Sequence, residues 1–408
     1  MLDLSPRFPQ PSIHRRRFLA ALGIAPACLS GMLTGCGGGD DDPPPAGSTG
    51  LDAQEAAKAA VAQGIVGALC QCIDGKASRP PQLGTAGLRR LGQASGVQAT
   101  DPFAIGSTTK AMTAALAARL VDSGRLQWES TLEQMLPALA ANMRPVYRTV
   151  TLRQLLAHRS GLMAFQSNAD VQALVNSLDG DIPDDVTMQR QLFARWVLSQ
   201  APIAGIRPGV DYAYSNGGYT VVGAILEAQT GQRYEDLFTA QLARPLGMQN
   251  PWRDPFTGDS LPVAGHFGSP GKLTAYQLSD PLSGIFTHLL APAGTSLHLS
   301  AADYGLWLQW HMRAMAGQST PLPASYLGAL RAAQDEEYLM GWIARKHVAT
   351  PILAHDGSTL GFQSLAWVDW DGQSAGHLWA NCADGGGSPW VSTTLIGLME
   401  RMRQHYRR

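Results

Sequence analysis

A chain of 408 residues with 31 Lys and Arg against 32 Asp and Glu carries a formal charge of −1, which excludes the electrostatic footprint of a nucleic-acid binder. Hydrophobic residues at 45% and charged ones at 15% are a globular balance, with length enough for one large domain or two. The sequence has no repeat of solenoid period and no heptads, so array and coiled-coil architectures are excluded as well.

The first stretch in chain order is His14-Arg15-Arg16-Arg17-Phe18-Leu19 and the mostly apolar run that follows it to Leu33. That run is short for a membrane span and carries the charged head of a secretory signal. Its paired arginines before Phe-Leu resemble a twin-arginine export signal. Leu33-Thr34-Gly35-Cys36 resembles a bacterial lipobox, which implies cleavage of residues 1–35 and lipidation of Cys36. Residues 36–50, rich in Gly, Asp and Pro, read as a flexible tether. Gly37, in place of an Asp after the lipidated Cys, leans toward the outer membrane. An exported lipoprotein of the cell envelope is expected, held on a membrane through Cys36.

The mature chain begins with a predicted helix from Asp52 to Gln63, a strand from Ile65 to Ile73 and a second strand from Gly87 to Gln93. Of five cysteines, Cys28 leaves with the signal. Cys70 and Cys72 share one face of the first strand and Cys382 ends another. Either a disulfide to Cys382 or three buried free thiols fits that pattern. The cysteine spacing opposes zinc, and His-Glu-x-x-His is absent, so no metal and no cofactor is expected.

From Ser107 the pattern turns helical, with Met112, Leu116, Leu120 and Val121 recurring until Gly124. Residues three apart on a helix share a face, so Ser107 and Lys110 can meet as a nucleophile and its base. The helix N-terminus disfavours a charged Lys110, and its free N–H groups suit an oxyanion. A second Ser-x-x-Lys, Ser269 to Lys272, is rejected because Pro270 and Gly271 oppose a helical turn. Helical patterns dominate to about residue 330. Thr151 with Gln154 forms a capping box for a helix that Ser160-Gly161 ends, and Ser300 with Asp303 opens another. Short strands follow, Ile352 to His355, Ser364 to Trp370 and Gly376 to Cys382, before a last helix from about Pro389 to Tyr406. Strands at both ends with helices between imply one sheet assembled from both termini, with a cleft against the helical part as the natural site.

Two more segments complete a pattern: Tyr212-Ala213-Tyr214-Ser215-Asn216-Gly217-Gly218, before a helix expected near Tyr219, and His355-Asp356-Gly357-Ser358 at a strand end. Ser-x-x-Lys, then Tyr-x-Asn, then a basic-x-Gly strand resembles the serine β-lactamase and penicillin-binding protein superfamily, in the branch of class C β-lactamases, DD-carboxypeptidases and related esterases. Residues Val150 to Leu162, Pro245 to Met248 and Gly341-Trp342 are similar to recurring segments of that branch. The resemblance implies an α/β (α+β) fold of β-lactamase type, an antiparallel sheet flanked by helices with a mainly helical subdomain. A single unit over residues 51–408 is expected, its sheet part about 51–106 and 331–408 and its helical part about 107–330.

It also implies roles. Ser107 becomes the acyl-enzyme. Tyr214 shares proton work with Lys110, its phenol pKa lowered by the ammonium. Asn216 bonds Lys110 and substrate, the backbone N–H groups of Ser107 and Ser358 form an oxyanion hole, and Gly357 admits substrate to the strand edge. His158 and Ser160 read as a structural helix end. His355, at the first position of the third segment, is expected to contact substrate, but the triplet His355-Asp356-Gly357 departs from the Lys-Thr-Gly common in the superfamily. It removes a permanent cation and adds a carboxylate: if Asp356 faces a substrate carboxylate about 4 Å away, the repulsion would approach about 4 kcal/mol, whereas strand alternation could point it away from the cleft and an Arg elsewhere in the chain could offset it. The expected substrates are therefore neutral esters or amides first, cell-wall peptides of DD-carboxypeptidase type second and β-lactams third; a reading from another class is an envelope binding protein with weak turnover. Neither the leaving group nor the oligomeric state is written in the sequence.

Overall fold

Asp52 opens helix α1, Ala53–Ala62, with a complete capping box: its carboxylate accepts from the Glu55 amide at 2.8 Å, and the Glu55 carboxylate accepts from the Asp52 amide at 2.9 Å. In the computed structural model, which describes residues 50–75, 80–166, 168–178, 182–249, 261–277, 281–385 and 388–407, α1 lies against strand β1, Gly67–Asp74, and strand β2, Gln82–Gly87. The helix buries only alanines, Ala53, Ala56, Ala57 and Ala60, so its backbone comes very near the sheet. A Cβ at Gly84 would stand 2.2 Å from the Ala53 carbonyl oxygen. The export signal, Cys28, the lipobox with Cys36 and the tether up to Thr49 lie outside the described residues.

The middle of the chain supplies α2, Thr109–Asp122; α3, Leu152–Leu156; α4, Val186–Val197; α5, Asn216–Thr230; and α6, Ala301–Met315. The chain then returns to the sheet with β3, Glu337–Leu339; β4, Trp342–Arg345; β5, Ile352–Thr359; β6, Phe362–Asp369; and β7, Ser374–Ala380, and ends in α7, Trp390–Tyr406. The seven strands form one antiparallel sheet in the order β2-β1-β7-β6-β5-β4-β3. Both termini therefore build it, as the sequence pattern predicts.

Strand alternation sorts the sheet into two cores. Ile352, Ala354, Leu365, Trp367, Leu378 and Ala380 face the layer of α1 and α7. Leu353, Ala366, Val368, Ala375 and Trp379 face the helical part, which shares the larger core with α2 and α5. The C-terminal helix is fastened to the sheet by charge. Arg403 donates through Nε and Nη2 to buried Asp369, at 3.0 and 2.8 Å, while Arg407 and the Ser374 hydroxyl take its other oxygen.

Some predicted elements shift. The strand expected from Gly87 to Gln93 is instead β2, Gln82–Gly87. Gly87 adopts φ +78°, which turns the chain out of the sheet, and Leu88 keeps only a bridge to Gly96. The helix expected from Ser107 begins with a 3-10 turn, Gly106–Thr108, that leads into α2. Cys70 lies opposite Leu378 on β7, and Cys70, Cys72 and Cys382 are buried free thiols, so of the two expectations for the cysteines the structure has the second. Burial pushes the thiols of Cys70 and Cys382 up to about 12.

Two hairpins turn on residues that are poor sequence signals. Met340-Gly341 joins β3 to β4 and Leu360-Gly361 joins β5 to β6, with φ values of 53° and 78°, and 49° and 80°, the left-handed pair of a type I′ turn. Gly341 also touches α2: a Cβ there would lie 2.2 Å from the Ala111 amide nitrogen. Gly341→Ala is expected to lower stability by about 2–4 kcal/mol, overpacking plus a left-handed alanine. Urea unfolding followed by circular dichroism measures this, and a midpoint within error of the parent would contradict the packing argument.

Candidate active site

Ser107 sits half-buried in the 3-10 turn ahead of α2, and one turn on, Lys110 is fully buried. The Lys110 amine lies 2.9 Å from Ser107 Oγ, 2.8 Å from Asn216 Oδ1 and 2.7 Å from the carbonyl oxygen of Ala293. An amide oxygen and a carbonyl can only accept. In its neutral form the amine therefore points both hydrogens at those two atoms, which leaves its lone pair facing the serine hydroxyl. Burial drives the Lys110 pKa well below its ordinary 10.5, opposed in part by the charge of Asp356. That combination is a base aimed at a nucleophile.

Tyr214 completes the contact from the opposite side, its hydroxyl donating to Ser107 Oγ at 2.9 Å. Here the sequence expectation needs correction. An ammonium was expected to lower the phenol pKa, whereas burial raises it well above 10, with only the bond to Ser107 acting the other way. The phenol is neutral and is a proton donor. Asn216 lies at the first position of α5, which starts three residues before the expected Tyr219 because Ser215 caps it, Oγ accepting from the Gly218 amide at 2.9 Å. The Asn216 side chain is oriented by donating Nδ2 to the Phe165 carbonyl at 3.4 Å. Phe165 is itself held at φ 51°.

The third segment runs inside β5 rather than ending it. Its two-residue hairpin makes Thr359 and Phe362 a bonded pair, and ladder alternation then turns the N–H and C=O of Ser358 to the other edge. That edge is open beyond Ala354, where pairing with β4 stops. The turn of Ser107 packs there: a Cβ on Gly106 would lie 2.7 Å from the Ser358 amide nitrogen, and one on Gly357 would lie 2.7 Å from the Ser107 amide nitrogen. The two N–H groups expected to hold an oxyanion are thus brought side by side. Gly357 was expected to admit substrate, but the atoms crowding it are the protein's own Ile105 carbonyl, Ser364 hydroxyl and Ser107 amide.

His355 and Asp356 part company by strand alternation. Asp356 is exposed on the side of Ala354, away from the helical part, whereas His355 is buried on the inner side. The Tyr338 hydroxyl meets His355 Nε2 at 2.9 Å, and His355 Nδ1 donates to the Asp356 carbonyl. Both ring nitrogens are engaged within the protein, which corrects the expectation that His355 contacts substrate. Burial, opposed in part by Asp356, pushes its pKa down to about 4, so the imidazole is neutral at pH 7. Sequence reasoning missed Tyr338 and the Ala293 carbonyl; a backbone acceptor leaves no sequence signal, and Tyr338 belongs to none of the motifs. Away from this cleft, exposed Asp335, Glu336 and His347 bring ligand-type atoms within 4.8 Å of one another.

Residues 55–393 match a family model described as beta-lactamase. Penicillin-binding protein 4 of Amycolatopsis lactamdurans is 27% identical over 307 residues, 72% of this chain and 76% of that protein. An unguisins hydrolase of Aspergillus campestris is 24% identical over 277 residues, and the match spans 64% of this chain and 48% of that longer protein. The crystal structure of D-amino acid amidase from Ochrobactrum anthropi SV3 complexed with L-phenylalanine amide superposes with a TM-score of 0.65 at 21% identity, over 86% of this chain and 97% of that one, which shows a shared fold.

The neutral state of His355 fixes a sign. Its folded pKa of about 4 lies below the ordinary 6.5, so on acidification the unfolded chain takes up the proton first. Stability therefore falls as pH drops from about 6.5 toward 4, by up to about 3 kcal/mol for this group. Unfolding free energies measured at several pH values should fall less steeply in His355→Gln than in the parent; parallel curves would mean that His355 is charged in the folded state.

Proposed function

The chain belongs to the beta-lactamase family of serine hydrolases, and we propose that it transfers an acyl group from a neutral ester or amide to water through an acyl-enzyme on Ser107. The observation that carries this reading is the three-way contact at Ser107 Oγ, with a buried amine at 2.9 Å on one side and a neutral phenol at 2.9 Å on the other. Lys110 takes the hydroxyl proton as Oγ attacks the acyl carbon. The carbonyl oxygen becomes an oxyanion facing the amides of Ser107 and Ser358, an interaction whose loss typically costs about 100- to 1000-fold in turnover. Tyr214 gives its proton to the departing alkoxide or amine as the tetrahedral species collapses. The Lys110 ammonium returns a proton to the Tyr214 phenolate, and a water then repeats the attack on the acyl-enzyme to release the acid and regenerate Ser107.

The preference for a neutral, carboxylesterase-like substrate is supported by charge. His355 keeps both nitrogens inside the protein and brings no cation to the cleft, and Asp356 adds a negative field that reaches Lys110. A second reading, cleavage of a peptide in the manner of a DD-carboxypeptidase, is supported by the open edge of β5, where Ser358 can pair with an extended backbone. The envelope location and the anchor at Cys36 remain part of the proposal on the strength of the N-terminal sequence.

Intact-mass spectra of the purified protein after incubation with a short-chain aryl ester should show a transient acyl adduct that Ser107→Ala abolishes without loss of fold. Lys110→Ala is expected to slow adduct formation by about 100- to 10,000-fold. An adduct with penicillin as well would move peptides ahead of esters, and an adduct that survives in Ser107→Ala sinks the assignment. For the anchor, Cys36→Ala should move the protein from the membrane fraction to the soluble one; continued sedimentation with membranes would rule out the lipid.

A further inference from the structure

The segment from Val150 to Leu162 contributes no hydrogen bond to Ser107, yet its His158 surrounds a residue that does. We infer that His158 is a positioning residue that sets the phenol of Tyr214 against Ser107, an inference that rests on the acyl-transfer reading above. The backbone carbonyl of His158 accepts from the Ala213 amide at 2.8 Å, and its ring Nδ1 accepts from the Ser215 amide at 3.1 Å. One residue thus holds the amide N–H of each neighbour of Tyr214 in the chain. The imidazole also lies flat enough on the phenol ring, with centroids 4.0 Å apart and planes at 37°, to fix the direction in which the hydroxyl points. The Tyr338 ring closes the far side at 4.4 Å.

The arrangement is held against a local cost, which a mere helix end would not require. His158 adopts φ 54°, a conformation Gly or Asn reaches more easily after a helix. Because Nδ1 accepts, the ring proton sits on Nε2, and that atom is buried with no hydrogen-bond partner among the described residues. A leucine would fill the volume without an orphaned N–H, and a glycine would relieve the backbone. Neither offers an acceptor to Ser215 together with a flat face for Tyr214. Burial holds the imidazole neutral, which keeps Nδ1 an acceptor. Displacement of a catalytic hydroxyl by about 1 Å can cost on the order of 100-fold in rate. A residue that fixes the backbone at 213 and 215 controls a displacement of that size.

Two substitutions separate the two grips. His158→Asn keeps an acceptor on Cγ, where Nδ1 was, and tolerates the left-handed backbone. His158→Phe keeps the ring and loses the acceptor. Each is made alone and with Tyr214→Phe, and the acylation rate on p-nitrophenyl acetate is measured per folded molecule. Tyr214 is followed separately by fluorine NMR of protein labelled with 3-fluorotyrosine, its signal assigned by loss in Tyr214→Phe. His158→Phe is expected to slow acylation by about 10- to 100-fold with KM within about threefold, and to shift or split the Tyr214 resonance. His158→Asn should lose less than about fivefold, and His158→Phe should add less than about twofold once Tyr214 is already Phe. Equal losses with and without the Tyr214 hydroxyl, or an unmoved resonance, would overturn the inference. If the parent protein releases no nitrophenol, the acyl-transfer reading fails, and the resonance alone decides whether His158 positions Tyr214.

Discussion

Two oxygen atoms with no proton to give, the amide oxygen of Asn216 and the carbonyl of Ala293, govern the chemistry available at Ser107. They occupy the hydrogens of the Lys110 amine and leave one direction free. Each comes from a different part of the chain: Asn216 opens α5, and Ala293 ends the 3-10 turn Ala291–Ala293. The helical part packs around α2 so that these acceptors arrive where burial has already removed water from the amine. In water the same lysine would be protonated and inert as a base. The base is therefore a product of tertiary packing, and no property of the Ser-x-x-Lys stretch alone would supply it.

The same burial moves six titratable groups around Ser107 toward their neutral forms. Lys110, His158 and His355 are pushed down, and Tyr214, Tyr219 and Tyr338 are pushed up. Proton transfer from the neutral hydroxyl to the neutral amine therefore creates both charges only as the carbonyl is attacked, and the negative one falls beside two backbone amides. Backbone strain gathers around the same place. His158, Phe165 and Met340 take left-handed conformations within the walls that hold Tyr214, Asn216 and α2.

The sheet built from both ends, the capping box at Thr151 and the grouping of Ser107, Lys110, Tyr214 and Asn216 were legible because each depends on residue type at fixed spacing. What escaped depends on tertiary surroundings. The Met340-Gly341 and Leu360-Gly361 turns have no Asn or Asp to mark them, and β2 ends at Gly87 because that residue's left-handed conformation, which the sequence does not show, turns the chain away. The charge state of Tyr214 was misjudged by weighing a neighbouring cation without the larger effect of burial. His355 looked like a ligand contact because its partner Tyr338 lies seventeen residues away, on a strand two places across the sheet.

Three glycines from distant segments meet where the turn of Ser107 touches β5. A side chain at Gly106 or Gly357 would strike the backbone of the other segment, and one at Gly294 would stand 2.1 Å from the Gly106 carbonyl oxygen. The gap between hydroxyl and strand is thus set by missing atoms on three sides at once. No single replacement can widen or narrow it without collision, so gradual change in selectivity has no route through this inner contact. Diversification among such sites would have to work at the rim, through exposed positions such as Tyr212, whose ring meets His158 and Tyr338, while the reacting centre is inherited whole.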